Sequence, residues 1–160
     1  MKNSYNTAEV IQMAINIEKE GYEFYSRIAK HAANEQSKAV FVLLAEQEKK
    51  HIETFTNLLE VMSASNNTAG QYMFDEEVSG YFMALTENKV FKPEKMYDAA
   101  DMTSAKEAIH EGIEAEKNSI LFYTELLKSA AMQEVKHSLE LIIEEEKRHI
   151  LDLNNLAKSL

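Results

Sequence analysis

The sequence predicts an all-α protein: a four-helix bundle made of two pseudo-symmetric helical hairpins, joined by a long crossover that contains a short helix. Three observations carry this expectation. A single Pro, four Gly and 45 % apolar residues among 160 favour long regular helices over turns and sheet. Four long segments repeat apolar residues at helical spacing. The second half of the chain also repeats the first at an offset of 98 residues. One domain over residues 1–160 is expected, with hairpins over 7–62 and 104–158 and the crossover over 63–103. A chain of this length buries a core without covalent staples.

The first helix is expected from about Thr7 to Ala33, with Val10, Ile11, Ala14, Ile15, Ile17, Phe24, Ile28 and Ala29 on its apolar face. Asn6 or Thr7 can cap it, and Glu9 stands three residues after Asn6, the spacing of a capping box. The second runs from about Glu35 to Met62, with Val40, Phe41, Leu43, Leu44, Phe55, Leu58 and Leu59 inside. So short a connection makes the two helices antiparallel neighbours. After a polar break from Ser63 to Asn67 and Gly70, a shorter helix fits Asp75 to Asn88, with Pro93 closing it or lying in the loop behind. The third long helix starts near Ser104, where Glu107 supplies a second capping-box spacing, and reaches about Ala130. The fourth runs from about Gln133 to Lys158. A helix of ~27 residues is ~40 Å long, and the crossover is long enough to traverse it, which gives a bundle with one long connection. Tyr72, Phe74, Tyr81 and Phe82 in the crossover are expected to cover the bundle or to form a dimer contact.

Composition excludes several classes. Without Cys there are no disulfides, zinc–thiolate sites or Cys-ligated iron–sulfur clusters, so any metal must sit on oxygen and imidazole. A formal charge of −10 opposes nucleic acid as a partner. No segment approaches the ~20 apolar residues of a membrane span. Met1 to Glu9 lacks the apolar run of a secretory signal, so a cytoplasmic protein is expected.

The repeat singles out the chemistry. Ile15-Asn16-Ile17-Glu18-Lys19, ending in Phe24-Tyr25, lies over Ile113-Glu114-Ala115-Glu116-Lys117, ending in Phe122-Tyr123. At the same offset, Glu46-Gln47-Glu48-Lys49-Lys50-His51-Ile52 lies over Glu144-Glu145-Glu146-Lys147-Arg148-His149-Ile150. Each half therefore offers a Glu on its first helix and a Glu-x-x-His on its second. Residues three apart share a helix face, so Glu48 with His51, and Glu146 with His149, can converge on one ion. Tyr25 lies seven residues after Glu18, within about 20° of it around the axis, and Tyr123 repeats this after Glu116. A lone ionised Glu on such an apolar face costs several kcal/mol. Four Glu and two His brought together by a pseudo-two-fold bundle would instead surround two divalent cations, and this donor set suits iron or manganese.

Glu-x-x-His alone is weak in a chain so rich in Glu. His110 and His137 also follow a Glu by three residues, but they lie over Gln12 and Ala39 in the repeat. They read as surface histidines, and His31 reads as a partner of the last helix carbonyls. Glu20, Glu23, Glu53 and Glu60 read as solvated, Glu114 as lying on a different face from Glu116, and Met13, Met62, Met73 and Met83 as core filler.

One Glu from each of two helices with Glu-x-x-His from each of the other two is similar to the ligand pattern of ferritin-like di-iron carboxylate proteins. Within them the chain resembles the rubrerythrin group, on Glu18 with Phe24-Tyr25, on Ala45 to His51, and on their second-half copies. The resemblance implies Glu18 and Glu116 as terminal ligands, Glu48 and Glu146 as bridges, and His51 and His149 completing each of two iron ions. It implies Tyr25 and Tyr123 as groups that hydrogen-bond carboxylates of the opposite half. Rubrerythrins proper add a four-Cys rubredoxin-like domain and a further Glu three residues beyond the third-helix ligand. This chain has no Cys and carries Ser119 at that position, which reads as a symmetric six-ligand site.

The resemblance implies a di-iron oxidoreductase reducing hydrogen peroxide or oxygen. Its electrons would come from an external donor such as a rubredoxin or flavoprotein, and the protein would be a homodimer that could exchange hairpins. The alternative is a ferroxidase of the iron-storage type. Storage cages usually carry a helix after the fourth, and no such segment is expected before Leu160.

Overall fold

The structure is a computed structural model, and it describes residues 4–64, 73–92 and 102–160. Among these residues there are five helices: α1 (Thr7–His31), α2 (Glu35–Ala64), α3 (Glu76–Thr86), α4 (Met102–Ser129) and α5 (Gln133–Ser159). The start of α1 is the expected capping box. The Asn6 side chain accepts from the Glu9 N–H at 2.9 Å, and the Glu9 carboxylate accepts from the Asn6 N–H at 2.9 Å, satisfying two N–H groups that a helix start leaves without partners. Asn34 accepts from the Ser37 N–H at 2.8 Å ahead of α2, and Asp75 caps α3 through the Val78 N–H.

The expected capping box at Ser104 is not formed. Since α4 begins at Met102, Ser104 and Glu107 both lie inside the helix. In a Glu-rich chain that spacing recurs by composition alone. The readings placed on Gly70, Tyr72 and Pro93 fall outside the described residues.

Connections of three residues fold α1 onto α2 and α4 onto α5, and the hairpins close on each other through α2–α5 and α1–α4 contacts. Ile11, Leu44, Phe55, Ile109, Leu126, Leu139 and Leu153 fill the interior. Helix α3 rests on α1 and α4, on one outer side of the bundle. It is tied to the start of the chain: the Phe74 N–H donates to the Tyr5 carbonyl at 2.9 Å, and the Tyr5 N–H donates to the buried Ser79 hydroxyl at 3.0 Å.

Aromatic packing shows why residues 73–92 of the crossover lie here. The repeat places Phe24-Tyr25 on α1 and Phe122-Tyr123 on α4, and the crossover supplies one phenyl ring to each pair. Phe82 packs on Phe122 with ring centroids 4.8 Å apart, backed by Phe74 at 5.1 Å. Phe91 packs on Phe24 at 5.7 Å and on Tyr25 at 5.6 Å. Aromatic pairs of this kind contribute beyond the area they bury. Phe74 and Phe82 thus cover the bundle, while Tyr81 is partly exposed. Met62 is core, whereas Met73 faces solvent, contrary to its reading as filler, and Leu43, expected inside α2, is exposed because it lies on the helix face turned away from the other helices.

Candidate metal centre

Six ionisable side chains meet in the middle of this bundle. Glu18 from α1, Glu48 and His51 from α2, Glu116 from α4, and Glu146 and His149 from α5 are each at most 2 % exposed. Each lies near mid-helix, where backbone hydrogen bonding is complete and the side chain is fixed by the helix register. His110, His137 and His31 are exposed. Glu114 reaches out to Lys117 at 2.5 Å, and Glu23 pairs with Arg27.

The donors form two overlapping sets. Single ligand atoms of Glu18, Glu48, His51 and Glu146 lie within 4.8 Å of one another, and so do those of Glu48, Glu116, Glu146 and His149. Glu48 and Glu146 belong to both. The imidazoles turn Nδ1 inward. His51 Nδ1 is 3.2 Å from Glu18 and 3.3 Å from Glu146, while His149 Nδ1 is 2.8 Å from Glu146 and 3.2 Å from both Glu48 and Glu116. The two rings lie nearly parallel, 5.7 Å apart.

Each tyrosine reaches across to the other hairpin. The Tyr25 hydroxyl donates to Glu116 Oε1 at 2.5 Å, and the Tyr123 hydroxyl donates to Glu18 Oε1. Burial, with the carboxylates around them, raises both phenols well above their ordinary range, so both stay protonated and act as donors. Removing one hydroxyl strips a buried carboxylate of its donor, which costs about 1–3 kcal/mol. Tyr25→Phe and Tyr123→Phe are each expected to lose stability of that order in urea denaturation.

The electrostatics describe a centre held together by protons. Burial and the charges of Glu18, Glu146 and Glu116 push the Glu48 carboxyl well above its ordinary range. Burial and Glu146 push Glu116 up to about 8, against the opposing pull of His149 and Tyr25. Burial also acts to raise Glu146, but hydrogen bonds and charge from His149 and His51 overcome it and hold Glu146 well below the carboxylate range. Burial would lower both imidazoles, yet the surrounding carboxylates raise His51 to about 12 and carry His149 well above the imidazole range. Two imidazolium rings thus occupy positions where cations are favoured.

Protons leave this centre incompletely satisfied. Glu48 Oε1 and both oxygens of Glu146 stand within 3.3 Å of an imidazole Nδ1 but make no well-directed hydrogen bond, and Glu116 Oε2 has no donor among the described residues, although buried polar atoms are normally paired. Four carboxylates balance the charge of two divalent cations, and the unpaired oxygens lie within the two donor sets. The residues present therefore fit a pair of hard or borderline metal ions.

Two contributors escape a reading of the sequence alone, Gly21 and Glu145. Gly21 lies against the cluster, and a Cβ there would stand 2.6 Å from Glu48 Oε2 and 3.0 Å from the Phe91 ring. Gly21→Ala is expected to cost about 1–3 kcal/mol by overpacking and to displace the Glu48 carboxylate, as thermal denaturation and metal titration would register. Glu145 accepts a hydrogen bond from His51 Nε2 at 2.7 Å. Gln47 stands at the equivalent place in the other hairpin. The site is therefore symmetric in its six inner groups and asymmetric immediately outside them. Ser119 is buried and donates to the Ala115 carbonyl at 3.1 Å, adding no carboxylate.

Two helical hairpins joined by one long connection around a carboxylate–imidazole cluster form the ferritin-like arrangement. The chain belongs to the rubrerythrin family, whose profile matches residues 9–157. Among solved structures, it is similar to a Thermotoga maritima protein described as a ferritin-like diiron-carboxylate protein. The identity is 22 % and the TM-score 0.73, covering 99 % of this chain and 98 % of the other. A search of curated proteins finds no match. No helix among the described residues is long and apolar enough to cross a membrane.

Proposed function

We propose that this protein is a single-domain di-iron oxidoreductase of the rubrerythrin type, which reduces hydrogen peroxide or oxygen with electrons from an external donor. The observation that carries this reading is the pair of donor sets sharing Glu48 and Glu146. Glu18 and Glu116 would each hold one ion, Glu48 and Glu146 would be shared between the two, and His51 and His149 would supply nitrogen through Nδ1. A bound pair of iron ions supplies two electrons together, enough to cleave the O–O bond of one peroxide without releasing a radical.

The protein's own groups set the conditions for that step. Binding requires Nδ1 of both imidazoles and the carboxyls of Glu48 and Glu116 to give up their protons, so loading releases protons. Tyr25 and Tyr123 hold Glu116 and Glu18 in place and keep their hydroxyl protons throughout. Phe24, Phe55, Phe91 and Phe122 surround the tyrosines and limit water entry. Each peroxide takes up two protons and two electrons to give two waters. A rubredoxin or flavoprotein, in the cytoplasm, would return the electrons, and a homodimer is the proposed assembly.

The test is anaerobic loading with iron(II) followed by graded hydrogen peroxide. The expected result is two iron(III) formed per chain and per peroxide, with no hydroxyl-radical adduct in a spin-trapping assay. Oxidation of one iron per chain, or radical release in step with oxidation, would oppose the reading.

A further inference from the structure

The 98-residue repeat that makes the six inner groups equivalent breaks at the residue preceding each shared glutamate. In α5 this residue is Glu145, and its carboxylate accepts a hydrogen bond from His51 Nε2 at 2.7 Å across the interface between α2 and α5. In α2 the corresponding residue is Gln47. The corresponding partners, Gln47 Oε1 and His149 Nε2, are both buried, and neither has a hydrogen-bond partner among the described residues. One imidazole is therefore backed by a carboxylate, while the outer nitrogen of the other is unpaired, and the residue at the corresponding place in the repeat is a neutral amide.

We propose that the two metal positions are unequal, and that Glu145 makes the Glu18–His51 position the one filled first. The inference rests on the two-metal reading above. A carboxylate accepting from the remote N–H fixes the ring and makes its inward nitrogen a better donor. It also adds negative charge just outside that position, although the outer side of Glu145 is partly exposed and its charge is correspondingly screened. The Gln47 amide carries no charge and is a weaker acceptor, so His149 gains neither effect. Glu145 and Gln47 touch no metal in this scheme. They act through the histidines, as positioning residues.

Outer partners of this kind typically change metal affinity 10–100-fold. With one equivalent of cobalt(II) per chain, anomalous diffraction from the full-length protein should show cobalt at the Glu18–His51 position over the Glu116–His149 position by roughly ten to one or more. Glu145→Gln should bring the two occupancies close to equal. The exchanged variant, Gln47→Glu with Glu145→Gln, should reverse the preference, a result that loss of packing alone does not produce. Equal occupancy in the wild type, or an unreversed preference in the exchanged variant, would overturn the inference while leaving two metals in place at two equivalents. Absence of cobalt from both positions at two equivalents would overturn the two-metal reading and this inference with it.

Discussion

Glu48→Gln and Glu146→Gln should each abolish tight loading of the metal pair, yet move the stability of the metal-free protein in opposite directions. Both carboxylates belong to both donor sets, so losing either weakens two positions at once. Outer-sphere changes alone reach 10–100-fold in affinity, and removal of a shared ligand is expected to exceed about 100-fold. In the metal-free protein their roles diverge. Burial and three neighbouring carboxylates hold Glu48 toward its protonated form, which an amide imitates without the charge. Glu146 is the carboxylate on which both imidazolium rings converge, and its loss leaves two buried cations short of a partner. Removing one member of a buried ion pair costs about 3–5 kcal/mol. Urea denaturation of the metal-free proteins at pH 7 should find Glu48→Gln equal to or more stable than wild type, and Glu146→Gln less stable by that amount. A loss of similar size in both would contradict the assignment of charge within the cluster. The stabilising effect of Glu48→Gln is what a site selected for binding rather than for stability should show.

Metal-free protein should also lose stability as the pH rises from 5 to 8, and metal should reverse that trend. Glu116 is raised to about 8 in the folded protein, and His51 to about 12. Across this interval the folded state binds more protons than the unfolded chain, so the stability these groups contribute is present at low pH and is lost as pH climbs. Glu146 is displaced the other way, and its stabilising contribution is lost only below the ordinary carboxylate range, outside the interval. A tenfold change in proton affinity is worth ~1.4 kcal/mol, and each kcal/mol moves the melting temperature by about 2–4 °C at this size. Glu116 acts across the whole interval and His51 above its ordinary range, so a decline on the order of 10–20 °C between pH 5 and 8 is expected for the metal-free protein. Because loading displaces the same protons, affinity for iron(II) rises with pH, and loaded protein should melt highest near pH 8. Scanning calorimetry of both forms at several pH values measures this. A metal-free protein most stable at pH 8 would contradict the protonation pattern.

The inner cluster is legible in the sequence because each clue is a spacing within one helix, duplicated at a fixed offset. Glu48 with His51, Glu18 with Tyr25, and their copies can be read without knowing how the helices pack. His110 and His137 can be set aside for the same reason, since the repeat gives them no counterpart, and the fold exposes both. Groups whose importance arises between helices are harder to read. The mismatch of Gln47 and Glu145 is visible in the aligned halves, but its meaning depends on Glu145 meeting the histidine of the opposite hairpin. Gly21 carries no pattern at all: its lack of a side chain matters only because Glu48 and Phe91 crowd it from two other segments. Crossover length indicates reach without route. Packing of Phe82 and Phe91 against the two repeated aromatic pairs shows where residues 73–92 lie. Local signals are the least reliable at helix starts, where the spacing of Asn6 and Glu9 forms a cap and that of Ser104 and Glu107 does not.

Whether the six buried side chains hold two iron ions can be read from a single diffraction experiment. It uses crystals of protein loaded anaerobically with two equivalents of iron(II), measured on both sides of the iron absorption edge. The expected map has two anomalous peaks flanked by Glu48 and Glu146, one beside His51 Nδ1 and Glu18, the other beside His149 Nδ1 and Glu116. A single peak, or iron bound only outside these residues, would contradict the two-iron site.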